Sequence, residues 1–351
     1  MPHTDSVSPD LRRMTPEELT EFMKEEGEPA YRASQLFDWL HVKLIKSLDD
    51  ATNLSKDLRG KLSEKASLTT LEIYERLLSQ YDGTRKYLYR LPDDNVIESV
   101  FMRYRFGNSV CVSSQVGCAM GCRFCASTLD GVVRSLSAAE MLEQVYRSAE
   151  DTGERISHVV VMGSGEPLEN TEELIRFIRL LSCGEGYGIG QRNITVSTCG
   201  VIPGIKRLME EDLNINLALS LHAPDQETRE KLMPVAKRYC LDELMETLKE
   251  YYAVTKRQLT FEYALAKGIN DGRDVPEKLE KLLKGMDCVV NLIPVNPVTE
   301  RNIEGTERTR VLDLKNQLEK RKIHATIRRE LGRDINGACG QLRRKVIGGK
   351  A

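Results

Sequence analysis

After residue 109 the chain alternates between short apolar runs and amphipathic stretches, and this alternation limits the fold more than any other feature. Candidate strands occupy 109–114, 157–162, 193–198, 215–220, 258–264 and 289–293. Between them, 138–151, 171–182, 203–211, 226–252 and 274–285 have helical spacing, with start signals at Ser137/Glu140 and Asn170/Glu173. Strands separated by helices predict a parallel sheet with right-handed crossovers. An open doubly wound sheet and a partial barrel both satisfy that pattern. A doubly wound sheet gathers its chemistry at one switch point, whereas a barrel gathers it at the C-terminal ends of many strands. Here Cys118 to Cys125 follow the first strand and Gly163-Ser-Gly165-Glu166 follows the second. Ser197 ends the third, Ser220 and His222 end the fourth, and Asn296 follows the sixth. The expected fold is therefore α/β, a partial barrel of six βα units.

Upstream, Thr15-Pro16-Glu17-Glu18 is a capping box with proline in the first helical position, opening a helix to about Glu26. Further helices are expected at 31–46, where Leu36, Phe37, Leu40 and Leu44 recur at helical spacing, and at 55–66. Residues 1–70 thus read as an N-terminal helical accessory domain with Trp39 in its core. Residues 71–108 read as a short β-rich extension with strands at Lys86–Arg90 and Val96–Met102, 109–300 as the barrel, and 301–351 as a C-terminal segment.

Apolar runs such as Val159–Met162 fall far short of the roughly 20 residues a membrane helix needs. Met1-Pro2-His3-Thr4-Asp5 lacks the basic and apolar run of an export signal, and nine scattered cysteines do not form a secreted disulfide framework. A reducing cytoplasm is expected. The net charge of −2 hides an asymmetry: from Lys320 to Ala351 ten Lys/Arg face two acids, a balance of +8. A basic tail on an acidic body suits a local phosphate contact, or simply a solvated surface.

Cys118-Ala-Met-Gly-Cys122-Arg-Phe-Cys125 places three thiols in one loop that Gly117 and Gly121 allow to turn. Three thiolates at this spacing can hold three irons of a 4Fe-4S cubane and leave the fourth open to the amino and carboxylate groups of S-adenosylmethionine. The other reading is structural zinc with Cys111 as fourth ligand, but zinc usually takes separated C-x2-C pairs and no second pair exists. Gly163-Ser-Gly165-Glu166-Pro167 lacks a third glycine for a dinucleotide fingerprint. It remains either a tight turn or a wall against which backbone approaches a ligand, with Glu166 accepting from an ammonium group. Ser197, Ser220, His222 and Asn296 can satisfy local backbone or hold a nucleoside cofactor's ribose and carboxylate. Cys339, in Asn336-Gly-Ala-Cys339-Gly340 of the basic tail, and Cys111 are candidate reactive thiols, while Cys183, Cys199, Cys240 and Cys288 read as buried fillers.

Taken in order, these motifs resemble the RNA adenine C2-methyltransferases of the radical S-adenosylmethionine superfamily. The resemblance rests on Cys111-Val-Ser-Ser-Gln-Val-Gly-Cys118, the three-cysteine loop, Gly-Glu-Pro-Leu, Ser-Leu-His-Ala, Asn-Leu-Ile-Pro-x-Asn-Pro and Ala-Cys339-Gly-Gln-Leu, and spans nearly the whole chain. It implies that Cys118, Cys122 and Cys125 bind a 4Fe-4S cluster, and that Gly165, Glu166, Ser197, Ser220, Leu221, His222 and Asn296 contact S-adenosylmethionine. It further implies that Cys339 carries the methyl group, Cys111 resolves the adduct and leaves a disulfide, and Glu98 is the proton acceptor. The implied partners are 23S rRNA, tRNA and an electron donor such as flavodoxin or ferredoxin, with two S-adenosylmethionine molecules used per turnover by a monomer. Ser164, Cys199 and Ser127 depart from the commoner pattern without removing a ligand.

The reaction accounts for such parts. Adenine C2 is an electron-poor carbon without a usable lone pair, so polar attack on a sulfonium methyl should fail there, whereas a carbon radical can add. Two rivals share these residues. A relative that methylates C8 of the same adenosine has similar cysteines, although Pro167 stands where it usually has alanine. An RNA-binding protein with a structural metal site would not require Cys111 and Cys339.

Overall fold

The computed structural model describes residues 8–296, 298, 300–342 and 345–346. The N-terminal pentapeptide, Pro297, and three of the ten basic residues counted between Lys320 and Ala351 (Arg343, Arg344 and Lys350) lie outside the described residues.

Helices α1 (Pro16–Glu25), α2 (Ala30–His41) and α3 (Lys56–Lys65) form the N-terminal unit. The capping box of α1 is present: the Thr15 hydroxyl accepts from Glu18 N, and the Glu18 carboxylate accepts from Thr15 N. Helix α2 ends earlier than the expected 31–46. Lys43 N donates back to Asp38 O and Leu44 takes a left-handed conformation (φ 57°), which turns the chain so that Ile45 is buried. Nor is Trp39 central to this core. Its Nε1 donates to Asn53 and the Lys43 ammonium sits 3.7 Å above its ring, while Leu36, Phe37, Leu40 and His41 fill the interior.

Antiparallel strands β1 (Glu72–Leu78), β2 (Arg85–Arg90), β3 (Asn95–Tyr104) and β4 (Gly107–Val112) come next, and β4 starts the parallel sheet. A small ribbon of β5 (Gln115–Gly117) and β6 (Val132–Ser135) follows. The remaining elements are α4 (Ala138–Thr152), β7 (His158–Val161), α5 (Thr171–Ser182), β8 (Ile194–Thr198), α6 (Ile202–Met209), β9 (Asn216–Ser220), α7 (Gln226–Leu232), α8 (Leu241–Thr255), β10 (Leu259–Leu265), α9 (Val275–Leu282), β11 (Cys288–Pro294), α10 (Arg308–Lys320) and β12 (His324–Ile327). The two residues of β13 (Lys345–Val346) pair with β3.

The main sheet runs β1-β2-β3-β4-β7-β8-β9-β10-β11-β12, parallel from β4 onward. All six expected strands appear side by side in chain order, so no switch point interrupts them, and the partial-barrel reading holds. A further parallel strand, β12, extends it. The expected helix 226–252 is two helices, because Pro234 cannot continue the ladder and a short turn separates α7 from α8. Asn170 does not cap α5 with its side chain; its Nδ2 instead donates to the carbonyls of Ser114 and Leu136. Ser137 and Glu140 do form the capping box of α4.

The N-terminal unit seats on α4 through buried charge. Arg12 donates to the carbonyls of Leu40, Ile45 and Thr69 and pairs with Glu143 at 3.2 Å, while Glu143 also accepts from Leu71 N and pairs with Arg147. Among the described residues no helix is long and apolar enough to cross a membrane.

Candidate functional site

The three-cysteine loop is held at its base by the β5–β6 ribbon. Gly117 makes that possible: its φ is +78°, and a Cβ there would lie 2.0 Å from Gly131 O. Within the loop, Cys125 N donates to Cys122 O, and the Thr128 hydroxyl donates to the carbonyls of Cys122 and Cys125. Cys118, Cys122 and Cys125 line one cavity of about 990 Å³, open to solvent, together with Gly165, Glu166, Ser197, Ser220, His222, Asn296 and Cys339. Residues from six separate segments therefore converge at the C-terminal ends of the strands.

Burial pushes the Cys118 thiol up to about 12, and Cys122 and Cys125 are raised for the same reason, reinforced by their neighbours' charge. Three adjacent thiolates here need a compensating cationic centre, which is the chemistry of a thiolate-ligated cluster. The zinc arrangement does not form. Cys111 lines a neighbouring cavity, and among the described residues no three of His, Cys, Asp and Glu are grouped to hold a single metal ion.

Opposite the cysteines, Gly165 has φ +106°, and a Cβ there would lie 2.6 Å from the Gln115 Cβ, so only glycine lets the two segments meet. Glu166 is buried and its carboxyl is raised by that burial. Its oxygens already accept from Leu168 N at 3.0 Å and Cys199 N at 2.7 Å, so it braces two cavity walls besides facing the space between them. The hydroxyls of Ser197 and Ser220 lie 3.4 Å apart on adjacent strands. His222 has φ 55°, and its Nδ1 accepts from Ala264 N at 2.9 Å, which leaves Nε2 as the protonated donor. Burial, then the charge of Arg229, drives its pKa down to about 3, and Phe124 of the cysteine loop packs edge-on against the ring. Leu221 does not line the cavity with its side chain; it is fully buried in the core behind it.

The terminal cysteine loop is tied across the cavity. Ala126 N donates to Gly340 O at 2.8 Å, the Ser127 hydroxyl to Leu342 O at 2.8 Å, and Asn296 Nδ2 to Cys339 O at 3.0 Å. Cys339 is exposed and borders both this cavity and its neighbour. Cys111 lines the neighbour from an apolar cluster with Val100, Met102, Leu331 and Leu342, and burial, then Cys339, pushes its thiol up to about 12. Glu98 lines neither cavity. It lies buried on β3, 2.9 Å from the Lys86 ammonium, which also donates to Asn336 O in the terminal loop.

Several side chains escaped the sequence reading. Arg328 borders both cavities, contacts Met162 Sδ at 3.7 Å and approaches Glu262 at 3.9 Å; burial opposes its charge, but Cys339, Glu262 and Cys111 hold its pKa up. Glu262 lines the main cavity and accepts from Asn291. The buried-filler reading holds for Cys199, which is buried in the core, and fails for Cys240, while Cys183 and Cys288 are half-buried. Cys199 lines the main cavity beside Glu166, and Cys240 is exposed at the start of α8, where the break at Pro234 has brought the chain to the surface. Of the departures from the family pattern, Ser127 binds the terminal loop, whereas the buried Ser164 hydroxyl has no partner among the described residues.

The radical SAM superfamily model matches residues 112–282, and the model for the ribosomal RNA large subunit methyltransferase N-terminal domain matches residues 9–68. The chain is 53% identical over 338 residues to a probable dual-specificity RNA methyltransferase RlmN of Lachnospira eligens, covering 96% of this chain and 97% of the relative. It is 51% identical over 335 residues to the protein of the same description from Lachnoclostridium phytofermentans, covering 95% and 94%. The crystal structure of a radical SAM methyltransferase from Sphaerobacter thermophilus superposes with a TM-score of 0.91 at 41% identity, covering 95% of this chain and 99% of that one.

Proposed function

Since this chain belongs to the RlmN family of radical S-adenosylmethionine RNA methyltransferases, we propose how its residues divide the work of methylating adenine C2 in RNA. The observation that carries the assignment is the pair of hydrogen bonds, Ala126 N to Gly340 O and Ser127 to Leu342 O, that binds the Cys339 loop to the three-cysteine loop across one cavity. When bound, the 4Fe-4S cluster and S-adenosylmethionine supply a methyl group and a 5'-deoxyadenosyl radical. Cys118, Cys122 and Cys125 hold the cluster. The turn at Gly165, with Glu166, Ser197, Ser220, the backbone at Leu221, His222 and Asn296, holds S-adenosylmethionine.

Cys339 carries the methyl group and delivers its carbon to C2. Glu98 accepts the ring proton, which requires the terminal loop to draw aside from the Lys86 contact. Cys111, across the neighbouring cavity, then attacks the Cys339 sulfur as a thiolate. The sulfur–carbon bond breaks with its electron pair passing to the carbon on C2, which takes up a proton, the one the Cys111 thiol gave up, to become the methyl group, and methylated RNA leaves behind a disulfide. The adenine enters extruded from its stack, because a target carbon inside a paired, stacked helix cannot reach residues set within a cavity. Residues 1–70 and the basic end of the 301–351 segment contact the RNA backbone, around the 109–300 barrel and its 71–108 extension. The substrates are 23S rRNA and tRNA, the electron donor is a flavodoxin or ferredoxin, and the enzyme works as a cytoplasmic monomer.

The test is nucleoside mass spectrometry, with chromatographic standards, on ribosomal and transfer RNA from a methylation-deficient host expressing this chain. 2-Methyladenosine in both fractions is expected. 8-Methyladenosine would transfer the residue roles to the C8 reaction, and neither product from cluster-loaded protein would refute the assignment.

A further inference from the structure

Helix α7 carries a guanidinium that has no carboxylate partner among the described residues. Three arginines are among the largest fully buried side chains, and two of them, Arg12 and Arg147, pair with Glu143. The third, Arg229, is 0% exposed and is held only by carbonyls: its Nη2 donates to Cys199 O at 2.6 Å and Ser220 O at 3.3 Å, and its Nε to Leu221 O at 3.3 Å. Its Nη1 has no hydrogen-bond partner among the described residues. A cation taken out of water without a counter-charge is costly, and folds that keep one usually supply an anion from elsewhere.

The position of Arg229 identifies that anion. The end of α7 lies directly against the three-cysteine loop: Arg123 N donates to Leu232 O at 2.9 Å, and the Cβ position of Gly121 lies 3.4 Å from Pro234. Cys199, whose carbonyl receives the shortest of the Arg229 bonds, lines the cavity with the cluster cysteines. The guanidinium interacts electrostatically with the thiols of Cys199 and Cys122 and with the His222 ring.

We propose that Arg229 is the fixed counter-charge of the iron–sulfur cluster, a buried positioning residue that offsets its anionic thiolates and favours its reduced form. This rests on the assignment of Cys118, Cys122 and Cys125 as cluster ligands. Each added electron deepens the negative charge of a thiolate-ligated cluster, so a nearby cation stabilises the reduced state more than the oxidised one and raises the reduction potential. Through the same fork Arg229 ties α7, whose end abuts the cysteine loop, to the strand ends at Cys199, Ser220 and Leu221.

The test compares wild type, Arg229→Lys and Arg229→Gln after anaerobic cluster loading, with iron content measured. Each is titrated with dithionite and redox mediators in the absence of S-adenosylmethionine, and the reduced cluster is followed by electron paramagnetic resonance. Arg229→Gln is expected to be at least tenfold harder to reduce, a fall in midpoint of about 59 mV or more for a one-electron couple, while Arg229→Lys stays within roughly threefold of wild type. A glutamine variant that takes up no iron while the lysine variant fills normally also supports a charge requirement. An unmoved midpoint in loaded Arg229→Gln overturns the proposal. So does an equal shift or equal iron loss in both variants, which marks a packing role. Wild type that holds no iron overturns the cysteine assignment and the proposal together, a result distinct from loaded protein with an unmoved midpoint.

Discussion

Acidification from pH 7 to pH 5 should destabilise this protein in a range where ordinary carboxylates remain ionised. His41 and His222 are both buried, and both are driven down to about 3, chiefly by burial and secondarily by Arg12 and Arg229 respectively. Neither site accommodates a second ring proton. His41 Nδ1 meets the Tyr146 hydroxyl at 2.8 Å and its Nε2 has no partner among the described residues, while His222 Nδ1 is occupied by the Ala264 amide. In the unfolded chain both rings titrate near 6.5. The folded pKa is therefore the depressed one: stability is complete above about 6.5 and is lost as pH falls, because the unfolded state takes up protons that the folded state refuses. Each ring costs up to about 1.4 kcal/mol per pH unit, hence about 2 kcal/mol at pH 5 and about 4 kcal/mol for the pair. Urea denaturation at pH 7, 6 and 5 measures the loss. His41→Phe isolates one ring, in the N-terminal unit, and keeps the tilted contact with Phe37 that His41 makes now at a centroid distance of 4.3 Å. It should cost about 1 kcal/mol at pH 7 for the Tyr146 hydrogen bond, yet recover about half of the acid-induced loss. Parallel pH curves for wild type and His41→Phe would refute the reasoning.

Four other outcomes are expected. Cys111→Ala should methylate Cys339 normally but accumulate a covalent protein–RNA adduct on denaturing gels; product release at the wild-type rate would remove Cys111 from the resolving role. Arg12→Met leaves Glu143 short of one of its two cations and should cost about 3–5 kcal/mol in urea unfolding, and a loss under about 1 kcal/mol would show that Arg147 alone suffices. Gly165→Ala, at φ +106° against Gln115, should cost about 2–4 kcal/mol and weaken S-adenosylmethionine binding in calorimetry; unchanged affinity would place the cofactor elsewhere. RNA affinity should fall steeply between low and high salt if the basic tail contacts phosphate, and a flat salt profile in filter binding would contradict that contact.

The core of the barrel was legible because strands buried on both faces are written as continuous apolar runs. Val159-Val160-Val161 has no other economical reading once a capped helix ends before it. β12 was not legible: His324-Ala-Thr-Ile is four residues inside a basic stretch, and it becomes a strand only because β11 presents an open edge to it. The end of α2 was misread for a related reason, since nothing local in Val42-Lys43-Leu44 announces the left-handed turn that the burial of Ile45 requires.

The site divides along the same line. Candidate residues that share a short motif, such as the three cysteines, Gly165 and His222, were legible, and they line one cavity, because their spacing encodes the loop that presents them. Arg229 was missed because Gln226-Glu-Thr-Arg-Glu-Lys has the composition of a solvated helix face. Arg328 was missed because its neighbours Cys111, Cys339 and Glu262 come from three distant strands and loops. The mechanism itself demands such non-local parts. Cys339 borders both cavities, and under the proposed roles it would gain its methyl group in one and be resolved in the other, so its loop needs an anchor outside its own sequence. That anchor is the β1–β2 hairpin, some 250 residues earlier in the chain: Ser79 and Gln80 donate to Asp334, Gly332 N donates to Asp82, and Lys86 donates to Asn336 O. Because Lys86 also holds Glu98, a displacement of the loop that breaks the Lys86–Asn336 contact alters the environment of the Glu98 carboxylate, the proposed proton acceptor, at the same moment. In the proposed mechanism this one ammonium group would couple methyl delivery to proton removal, a link that neither segment's sequence contains alone.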